Sequence, residues 1–349
     1  MIGGGVVGLS ATVALLRQGV DVRCYEVGEP MGERSAADTR IFRLAHTYPD
    51  MVELAARSRA LFTEWSERAG AALVDEVGTV VSGAEAATWA KAMATAGAAY
   101  TMVEMGSPLL RLPAATFAGP ALIDWAGGVI RVDRIRAFLV KAAGNHLRTA
   151  RVDAVEEITA GVRVRSGADV DTFDTALLCA GAGTSALAAG AGIDTPSALE
   201  HHLRVSFPIR PGSPEPLQCW ITEPAAGIPG TYQHLAARGM WAVGGDLDPA
   251  LVAWEGGRHA AEQASLEVLT GYAAEHLPFV EPRPSARVYC THDPALGDGL
   301  QFVRNGRVLA TYGENLMKFA PLLGEMLAQA CVDGSTPADA GSGAGQVSS

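Results

Sequence analysis

Three glycines near the start of the chain have the spacing of a phosphate-binding turn, Gly3-x-Gly5-x-x-Gly8. The first glycine allows a tight turn, the second lets the backbone approach a pyrophosphate, and the third lets a helix pack closely against a strand. The helix that follows would direct its first amides, including those of Val6 and Val7, at the phosphates. The motif is weak by itself, because the chain has 40 glycines among 349 residues.

An acidic residue follows the glycines at the distance expected for a dinucleotide site. Residues 9–18 have apolar side chains at helical spacing, and residues 20–27 have the pattern of a strand. Glu26 ends this strand, where a carboxylate can accept hydrogen bonds from the hydroxyl groups of a ribose. The order of elements predicts a Rossmann-type α/β domain. Very little strand precedes Gly3, so either the true start lies upstream or the first strand is unusually short.

Composition and charge argue against several other classes of protein. The formal net charge of -11 disfavours binding to nucleic acid or to an anionic membrane surface. No apolar run reaches the length of a membrane-spanning helix. The five cysteines are scattered and no histidine has metal-ligand spacing, so we predict neither a disulfide framework nor a metal site, and we expect a cytoplasmic protein.

The pattern of elements changes in the second half of the chain. Residues 199–243 contain short strand-like runs separated by proline and glycine, which is typical of an antiparallel sheet. A long helix is predicted over 256–277, and a buried strand over 308–312. The Gly/Ala/Ser-rich tail, 333–349, is predicted to be disordered.

Residues 38–46, Asp-Thr-Arg-Ile-Phe-Arg-Leu-Ala-His, and the helix after them resemble the sarcosine oxidase group of the D-amino-acid-oxidase-like flavoproteins. Later segments are similar to the same family in the same order, ending with Gly-Glu-Asn-Leu-Met-Lys-Phe-Ala-Pro at 313–321. The resemblance implies a GR2-like FAD-binding domain and a second, mostly antiparallel-sheet substrate domain. It assigns the FAD-binding domain to 1–75, 128–197 and 291–332, and the substrate domain to 76–127 and 198–290.

The resemblance also implies roles for single residues in the 38–46 segment and near the end of the chain. Thr39 and Arg40 would lie close to the isoalloxazine ring, where a cation stabilises negative charge on the reduced flavin. Arg43 and Lys318 would face the substrate, and two cations suit a carboxylate. His46 stands where sarcosine oxidases tend to have Tyr, and it would orient substrate or respond to pH, with a histidine that only supports neighbouring residues as the alternative. Without the resemblance, these cations would be interpreted as solvated surface groups.

Further cofactor contacts are implied by the later segments of the chain. A strand that meets adenine, a strand and turn that return to the cofactor, and the turn before the last helix would supply Val152, Ala180, Gly181, Gly313, Asn315 and Leu316. Cys290 follows Arg-Val-Tyr, at a place that resembles the point where several family members join a cysteine sulfur to the flavin. We therefore expect a covalent FAD, with a buried structural cysteine as the alternative.

The implied activity is FAD-dependent oxidation of a C–N bond in a small amino acid or amine, with an imine product and oxygen as electron acceptor. One position departs from the family's oxidases, which usually have a lysine in the strand where this chain has Ala242. That leaves open a dehydrogenase or a specialised-metabolite tailoring enzyme that does not use oxygen. An NADPH-fed flavin monooxygenase and a catalytically inactive nucleotide-binding protein are the remaining alternatives.

Overall fold

The structure is a computed structural model that describes residues 1–112, 119–195, 198–213, 217–222, 230–293 and 299–341. The α-helices in these residues are α1 (Val6–Arg17), α2 (Pro49–Ala69), α3 (Ala86–Thr95), α4 (Val132–Ala143), α5 (Thr184–Gly190), α6 (Pro249–Val252), α7 (Arg258–His276) and α8 (Ala320–Asp333). None of them has the length and hydropathy that a membrane-spanning helix requires.

The strands of the described residues are β1 (Cys24–Glu26), β2 (Thr39–Phe42), β3 (Val74–Asp75), β4 (Thr79–Ser82), β5 (Thr101–Val103), β6 (Ala121–Asp124), β7 (Gly128–Arg131), β8 (Leu147–Thr149), β9 (Ala154–Ile158), β10 (Gly161–Ser166), β11 (Asp169–Phe173), β12 (Ala176–Leu178), β13 (Glu200–Pro208), β14 (Cys219–Thr222), β15 (Thr231–Ala236), β16 (Met240–Gly245), β17 (Ala286–His292), β18 (Leu300–Asn305) and β19 (Val308–Gly313). The chain divides into two compact units. The first unit contains residues 1–36, 134–199 and the chain from 293 onward, and the second unit contains 37–133 and 200–292.

A mainly parallel sheet forms the centre of the first unit. Strand β1 pairs in parallel with β8, β12 pairs in parallel with β19, and β18 adds an antiparallel edge. Ile2 connects the two halves through single-residue parallel bridges to Tyr25 and Leu178. A glycine in α8 lets this helix lie against α1, because a Cβ atom at Gly324 would come within 2.8 Å of the Ser10 backbone.

An eight-stranded sheet dominates the second unit, in the order β17-β13-β16-β15-β14-β4-β6-β5. Its neighbours are antiparallel except for β14 and β4, which run in parallel. One face of the sheet is apolar and forms a core with α7, in which Trp241 and Phe207 are fully buried with Leu269. The predicted fold class, a Rossmann-type α/β domain with a second, mostly antiparallel-sheet domain, is confirmed.

The two units divide the chain differently from the predicted domains. Strand β2 pairs with β7, and β7 pairs with β3, so residues 37–75 belong to the second unit and not to the first. The chain after α8 also has defined pairing, since Ala340 exchanges backbone hydrogen bonds with Leu300 at 2.8 and 3.0 Å. The rest of the predicted disordered tail, 342–349, lies outside the described residues.

Candidate active site

Backbone crowding fixes the glycine turn of the first unit. Gly3 has a φ angle of +103°, and a Cβ atom there would come within 2.4 Å of the Cys179 carbonyl oxygen. A Cβ atom at Gly8 would lie 1.9 Å from the carbonyl oxygen of Gly3. Gly5 is the N-cap of α1 in extended conformation, and Val7 lies in the first turn of the helix. Only glycine fits the close approaches at positions 3 and 8, and they bring the turn to the start of α1, where a helix can bind a phosphate group.

The carboxylate of Glu26 lies beside the same turn. It accepts hydrogen bonds from the backbone amides of Gly4, at 2.7 Å, and Gly28, at 2.9 Å. The amide of Val6 donates to the Ser35 hydroxyl at 3.0 Å, so the start of α1 is also joined to the chain beyond β1. A carboxylate has about four acceptor positions, so Glu26 can still bind ribose hydroxyl groups. The turn and the acid therefore fit the ADP part of FAD.

The segment after β12 reaches the same end of the sheet. The Cα atom of Ala180 lies 2.8 Å from the position of a Cβ on Gly3, and Gly181 begins a 3-10 turn with a φ angle of +56°. The prediction for Val152 was wrong in one respect, because this residue lies between β8 and β9 and not in a strand. Among the described residues, the backbone hydrogen bonds between β1 and the chain after β8 end at Ala150, before Val152 is reached. The Ala150 amide donates to the Glu26 carbonyl at 2.8 Å.

The turn before α8 contains the remaining predicted residues of the first unit. Gly313 ends β19, and Asn315 has a left-handed conformation with a φ angle of 54°. Leu316 then begins a 3-10 turn that contains Lys318, whose side chain is only 4% exposed. The Lys318 ammonium lies 5.3 Å from the centre of the Phe319 ring, within the range of a cation–π interaction.

An ion pair that the sequence did not reveal supports this turn. Arg34 forms a salt bridge with Glu314, which is almost fully buried. Glu314 also accepts a hydrogen bond from the Asp293 backbone amide at 3.0 Å. The pair joins the segment after β1 to the turn that contains Lys318. Nothing in the local sequence indicates it, since 280 residues separate the two side chains.

In the second unit, β2 places Thr39 and Arg40 at the start of the 38–46 segment. Thr39 is buried, and its hydroxyl lies 3.1 Å from Nε2 of His234 on β15. Arg40 is half-buried. Burial, followed by the charges of His292 and Arg40, lowers the pKa of His202 to about 3. Burial, followed by the charges of Arg204 and Arg40, also lowers the pKa of His234. Both histidines are therefore neutral at pH 7.

Arg43 and His46 pack against the same indole ring. The Arg43 guanidinium carbon lies 4.6 Å from the centre of the Trp89 ring, and the guanidinium also donates to the Ala45 carbonyl. The His46 ring stacks on Trp89 at 6.4 Å with an angle of 14°. Both residues are buried, and these contacts hold them within the second unit.

A buried carboxylate fixes the backbone of this loop. Asp124, at the end of β6, accepts hydrogen bonds from the amides of Leu44 at 2.5 Å and Ala45 at 3.2 Å. Burial raises the pKa of Asp124, and the hydrogen bonds from backbone amides act against that rise. Sequence reasoning missed Asp124, because an isolated acid at a strand end has no pattern that distinguishes it from a surface residue.

The sheet of the second unit has polar groups on the face opposite its apolar core. Strand register places paired residues on one side, since Ser206 and His234 both pair with Ala242, and His202 pairs with Cys290. We call this side of the sheet the polar face. Its residues include His202, Arg204, Tyr232, His234, Ala242, Gly244 and Cys290. Ala242 is fully buried there, at the position where a lysine was expected.

A tyrosine, a histidine and a cysteine are in contact on the polar face. The Tyr232 hydroxyl lies 3.0 Å from Nε2 of His202, and the Cys290 sulfur lies 3.4 Å from Nδ1 of the same ring. Burial raises the pKa of the Tyr232 hydroxyl, so it stays protonated. Leu296 and Asp298, which supported the resemblance around Cys290, lie outside the described residues.

Comparison with known proteins gives one family and several similar structures. The family model described as "DAO: FAD dependent oxidoreductase" matches residues 1–330. A point mutant of NikD, "an unusual amino acid oxidase essential for nikkomycin biosynthesis", has a TM-score of 0.82 and 20% identity over 97% of this chain and 94% of NikD. A search of curated proteins gave no match.

Two further solved structures have the same fold. L-proline dehydrogenase from P. horikoshii has a TM-score of 0.75 and 17% identity, over 96% of this chain and 92% of its own. Glycine oxidase from Geobacillus kaustophilus has a TM-score of 0.74 and 18% identity, over 97% of this chain and 94% of its own. At these identities the likeness concerns the fold.

The two neutral histidines predict an acid-sensitive fold. A histidine in the unfolded chain has a pKa of about 6.5, whereas that of folded His202 is about 3. Between these values the unfolded state binds more protons, so the free energy of unfolding falls as pH decreases. His202 should lower it by about 1.4 kcal/mol between pH 7.5 and pH 5.5, and His234 acts in the same direction. In urea unfolding, the fall in the free energy of unfolding between the two pH values should be smaller in His202→Gln than in the wild type by the contribution of this histidine.

The control for this measurement is His259→Gln, which removes an exposed histidine from α7. That variant should have the same pH dependence as the wild type. Equal pH dependence in His202→Gln and the wild type would show that His202 is not held neutral by the fold.

Proposed function

Because the chain belongs to the DAO family of FAD-dependent oxidoreductases, we propose that it oxidises the C–N bond of a small amino acid or amine, in the manner of the sarcosine oxidase group. The buried ammonium of Lys318 carries this proposal, since an almost fully buried lysine in the turn before α8 is suited to bind a substrate carboxylate. The product is an imine, which water hydrolyses. The similar structures of amino acid oxidases support the same class of substrate.

The first unit supplies the groups that hold the cofactor in this proposal. The start of α1 and the glycine turn would hold the pyrophosphate of FAD, and Glu26 would bind a ribose. Ala180, Gly181 and the 313–316 turn complete the contacts from the same unit. Bound FAD would supply the two-electron acceptor for the oxidation.

The second unit supplies charge and orientation. With FAD bound, Arg40 would lie near the ring system, as the resemblance implies, and its charge would stabilise negative charge there. The amine reacts in its neutral form, because C–H cleavage beside nitrogen needs the free electron pair. Cations near a bound ammonium lower its pKa, so the charges of Arg40 and Arg204 favour that form. The rings of His202 and His234 are neutral, so they add no positive charge to that of the two arginines.

Oxygen is the proposed electron acceptor, and a dehydrogenase is the second candidate. The observation that favours the dehydrogenase is Ala242, a buried methyl group on the polar face where the family's oxidases usually have a lysine. The solved structures with this fold include both an oxidase of glycine and a dehydrogenase of L-proline. The two candidates differ only in what reoxidises the flavin, so one experiment separates them.

The test is anaerobic mixing of the yellow holoprotein with a panel of primary, N-methylated and cyclic amino acids. Bleaching of the flavin absorption band by one class identifies the substrate class, because only an oxidised substrate can reduce the flavin. Return of colour with formation of peroxide on admission of air identifies an oxidase. Stable bleaching in air, reversed by an artificial electron acceptor, identifies a dehydrogenase.

The outcome that contradicts the proposal is a flavin-loaded protein that no member of the panel bleaches. In that case the same sample is mixed with NADPH. Bleaching by NADPH would favour a flavin monooxygenase over an amine-oxidising enzyme. If neither the amines nor NADPH bleach the flavin, the result would favour a catalytically inactive nucleotide-binding protein.

Lys318→Met should weaken binding of a carboxylate substrate. We expect KM to rise by about 10- to 100-fold with flavin content unchanged, because a hydrogen bond to a charged group contributes about 1.5–3 kcal/mol. Steady-state kinetics and the ratio of flavin to protein absorbance measure the two quantities. Lys141→Met is the control, since Lys141 is exposed in the last turn of α4. An unchanged KM in Lys318→Met would remove this lysine from substrate binding.

We also propose a covalent link between Cys290 and the flavin. With FAD bound, such a link would replace the S–H bond of the Cys290 thiol and one C–H bond of the ring system, with loss of two protons, and the two electrons would pass through the flavin to oxygen. Wild-type flavin should remain with the chain after acid precipitation, and Cys290→Ser should release it. Cys331→Ser should retain the link. Equal release from wild type and Cys290→Ser would show that no link forms.

A further inference from the structure

Arg204 is a cation that the second unit buries on the polar face of its sheet. The side chain is 4% exposed, and its Nε atom has no hydrogen-bond partner among the described residues. Burial, followed by the charge of Arg40, lowers the pKa of Arg204 to about 9, so Arg204 is still charged at neutral pH. Burying a guanidinium with incomplete hydrogen bonding costs free energy, and a negative charge beside it would offset that cost.

The acidic groups that act on Arg204 are a phenol, a thiol and an exposed carboxylate. Tyr232 and Cys290 both act on it more strongly than Asp38, whose side chain is exposed to water that screens its charge. Burial raises the pKa of the Tyr232 hydroxyl, so this group stays protonated. The Cys290 thiol is therefore the neighbouring group that can most easily supply a negative charge by ionising.

The register of β13 and β17 places Cys290 beside Arg204. His202 pairs with Cys290, and Arg204 pairs with Val288 two residues away on each strand. Positions two residues apart share a face of the sheet, so Arg204 and Cys290 are diagonal neighbours, with Cα atoms about 7–8 Å apart. A long arginine side chain can cover this distance, whereas the residue directly opposite Arg204 is an apolar valine.

His202 directs an N–H group at the Cys290 sulfur. Its pKa of about 3 keeps the ring neutral, so only one of the two ring nitrogens carries a hydrogen. The protonated Tyr232 hydroxyl lies 3.0 Å from Nε2 and has no acceptor outside this ring among the described residues. A buried O–H group needs an acceptor, so Tyr232 donates to Nε2. The ring hydrogen is then on Nδ1, which lies 3.4 Å from the sulfur.

An ionised sulfur suits both of these neighbours better than a neutral thiol does. The sulfur of a thiol is only a weak acceptor, whereas a thiolate accepts a charge-assisted hydrogen bond from Nδ1 of His202. The thiolate also places a negative charge beside the guanidinium of Arg204. In this arrangement the arginine supplies the positive charge and the histidine stays neutral, and all of the groups belong to the second unit.

We propose that Arg204 and His202 hold Cys290 as a thiolate, which makes this cysteine a nucleophilic site for carbon electrophiles. Arg204 and His202 are positioning residues, because they act through the sulfur. Cys290 is half-buried, so a small reagent can approach it. The inference does not depend on the amine oxidation. It deepens the proposed link to the flavin, since with FAD bound the thiolate would be the form of Cys290 that joins the ring system.

The other cysteines of the chain provide an internal comparison. Burial raises the pKa of the other four thiols, which belong to Cys24, Cys179, Cys219 and Cys331. Thiolates are the reactive form of cysteine, so these four should react more slowly than Cys290 in the same sample.

The test is alkylation of the folded chain by iodoacetamide at pH 6, followed by mass spectrometry of the peptide that contains Cys290. The sulfur forms a bond to carbon, the carbon–iodine bond breaks, and iodide leaves. An ordinary thiol of pKa about 8.5 is less than about 1% ionised at this pH. We expect Cys290 to react about tenfold faster than the same cysteine in a peptide of residues 286–292, because more thiolate outweighs its weaker nucleophilicity.

The state of the flavin decides which sample is alkylated. If acid precipitation releases the flavin of the wild type, the holoprotein is used directly, because its Cys290 is free. If the flavin is retained, the full chain from a riboflavin-starved host is used, and circular dichroism verifies its fold. In that case the fraction of flavin retained by each variant is a second measurement. It should fall together with the alkylation rate, and it decides alone if the flavin-free chain does not fold.

Variants separate the charge of Arg204 from its place in the sheet, and the Tm of each variant verifies its fold. Arg204→Gln should lower the alkylation rate by about tenfold, to that of the peptide. Arg204→Lys should keep part of the rate, since it retains the charge without the fork. Tyr232→Phe should lower the rate by a smaller factor, because Nδ1 of His202 is then no longer fixed as the donor.

Arg287→Gln is the matched control for the loss of an arginine. Arg287 lies on β17 with Cys290 but on the opposite face, where it interacts with Glu262. This variant should keep the alkylation rate of the wild type.

Three results would overturn the inference. One is an equal rate for the folded chain and the peptide, which would make Cys290 an ordinary thiol. Another is rapid alkylation that persists in Arg204→Gln, and the third is an equal loss of rate in Arg287→Gln. The proposed link can fail separately, since release of wild-type flavin by acid together with rapid alkylation would refute the link and support the thiolate. Bleaching of the flavin by amines tests the proposed oxidation independently of both.

Discussion

The organisation of the first unit depends on how closely its backbone segments approach one another at the glycine turn. The carbonyl oxygens of Gly3 and Cys179 occupy the positions that side chains on Gly8 and Gly3 would need. Because these contacts are between main-chain atoms, no rearrangement of side chains could relieve a substitution. The start of α1, the end of β12 and the carboxylate of Glu26 are brought together by this crowding, and they form the part of the molecule that fits FAD.

The second unit is built on a different constraint, which is that its large sheet has two unlike faces. The face towards α7 is a dense apolar core, whose Trp241 indole nitrogen donates to Gln233 at 2.8 Å. The polar face contains neutral histidines, a protonated tyrosine, a thiol and a buried arginine, Arg204, whose Nε atom has no hydrogen-bond partner among the described residues. A sheet with a rigid core on one side can position such groups without support from flexible loops, which suits the binding of a small charged substrate.

Local features of this structure were predictable from the sequence, and long-range ones were not. The helices, the position of Glu26 at the end of β1 and the presence of an antiparallel sheet follow from periodicity and turn residues, because those signals act over a few positions. The register of β13 against β16 and β17 depends on partners about 30 to 90 residues away. Arg204 could therefore not be distinguished from a solvated arginine, nor Arg34 from a surface residue, although the resemblance indicated residues 38–46 and Lys318.

The hydrogen bonds of Asp124 have a consequence for how this enzyme can change over evolution. Its carboxylate contacts the main-chain amides of Leu44 and Ala45, not their side chains. Backbone amides are present whatever residue occupies a position, proline excepted, so these two hydrogen bonds do not depend on the side chains at 44 and 45. Leu44 and Ala45 are themselves buried, so the substitutions that can change the surroundings of Arg43 and His46 without moving the loop are those whose side chains fit the same space.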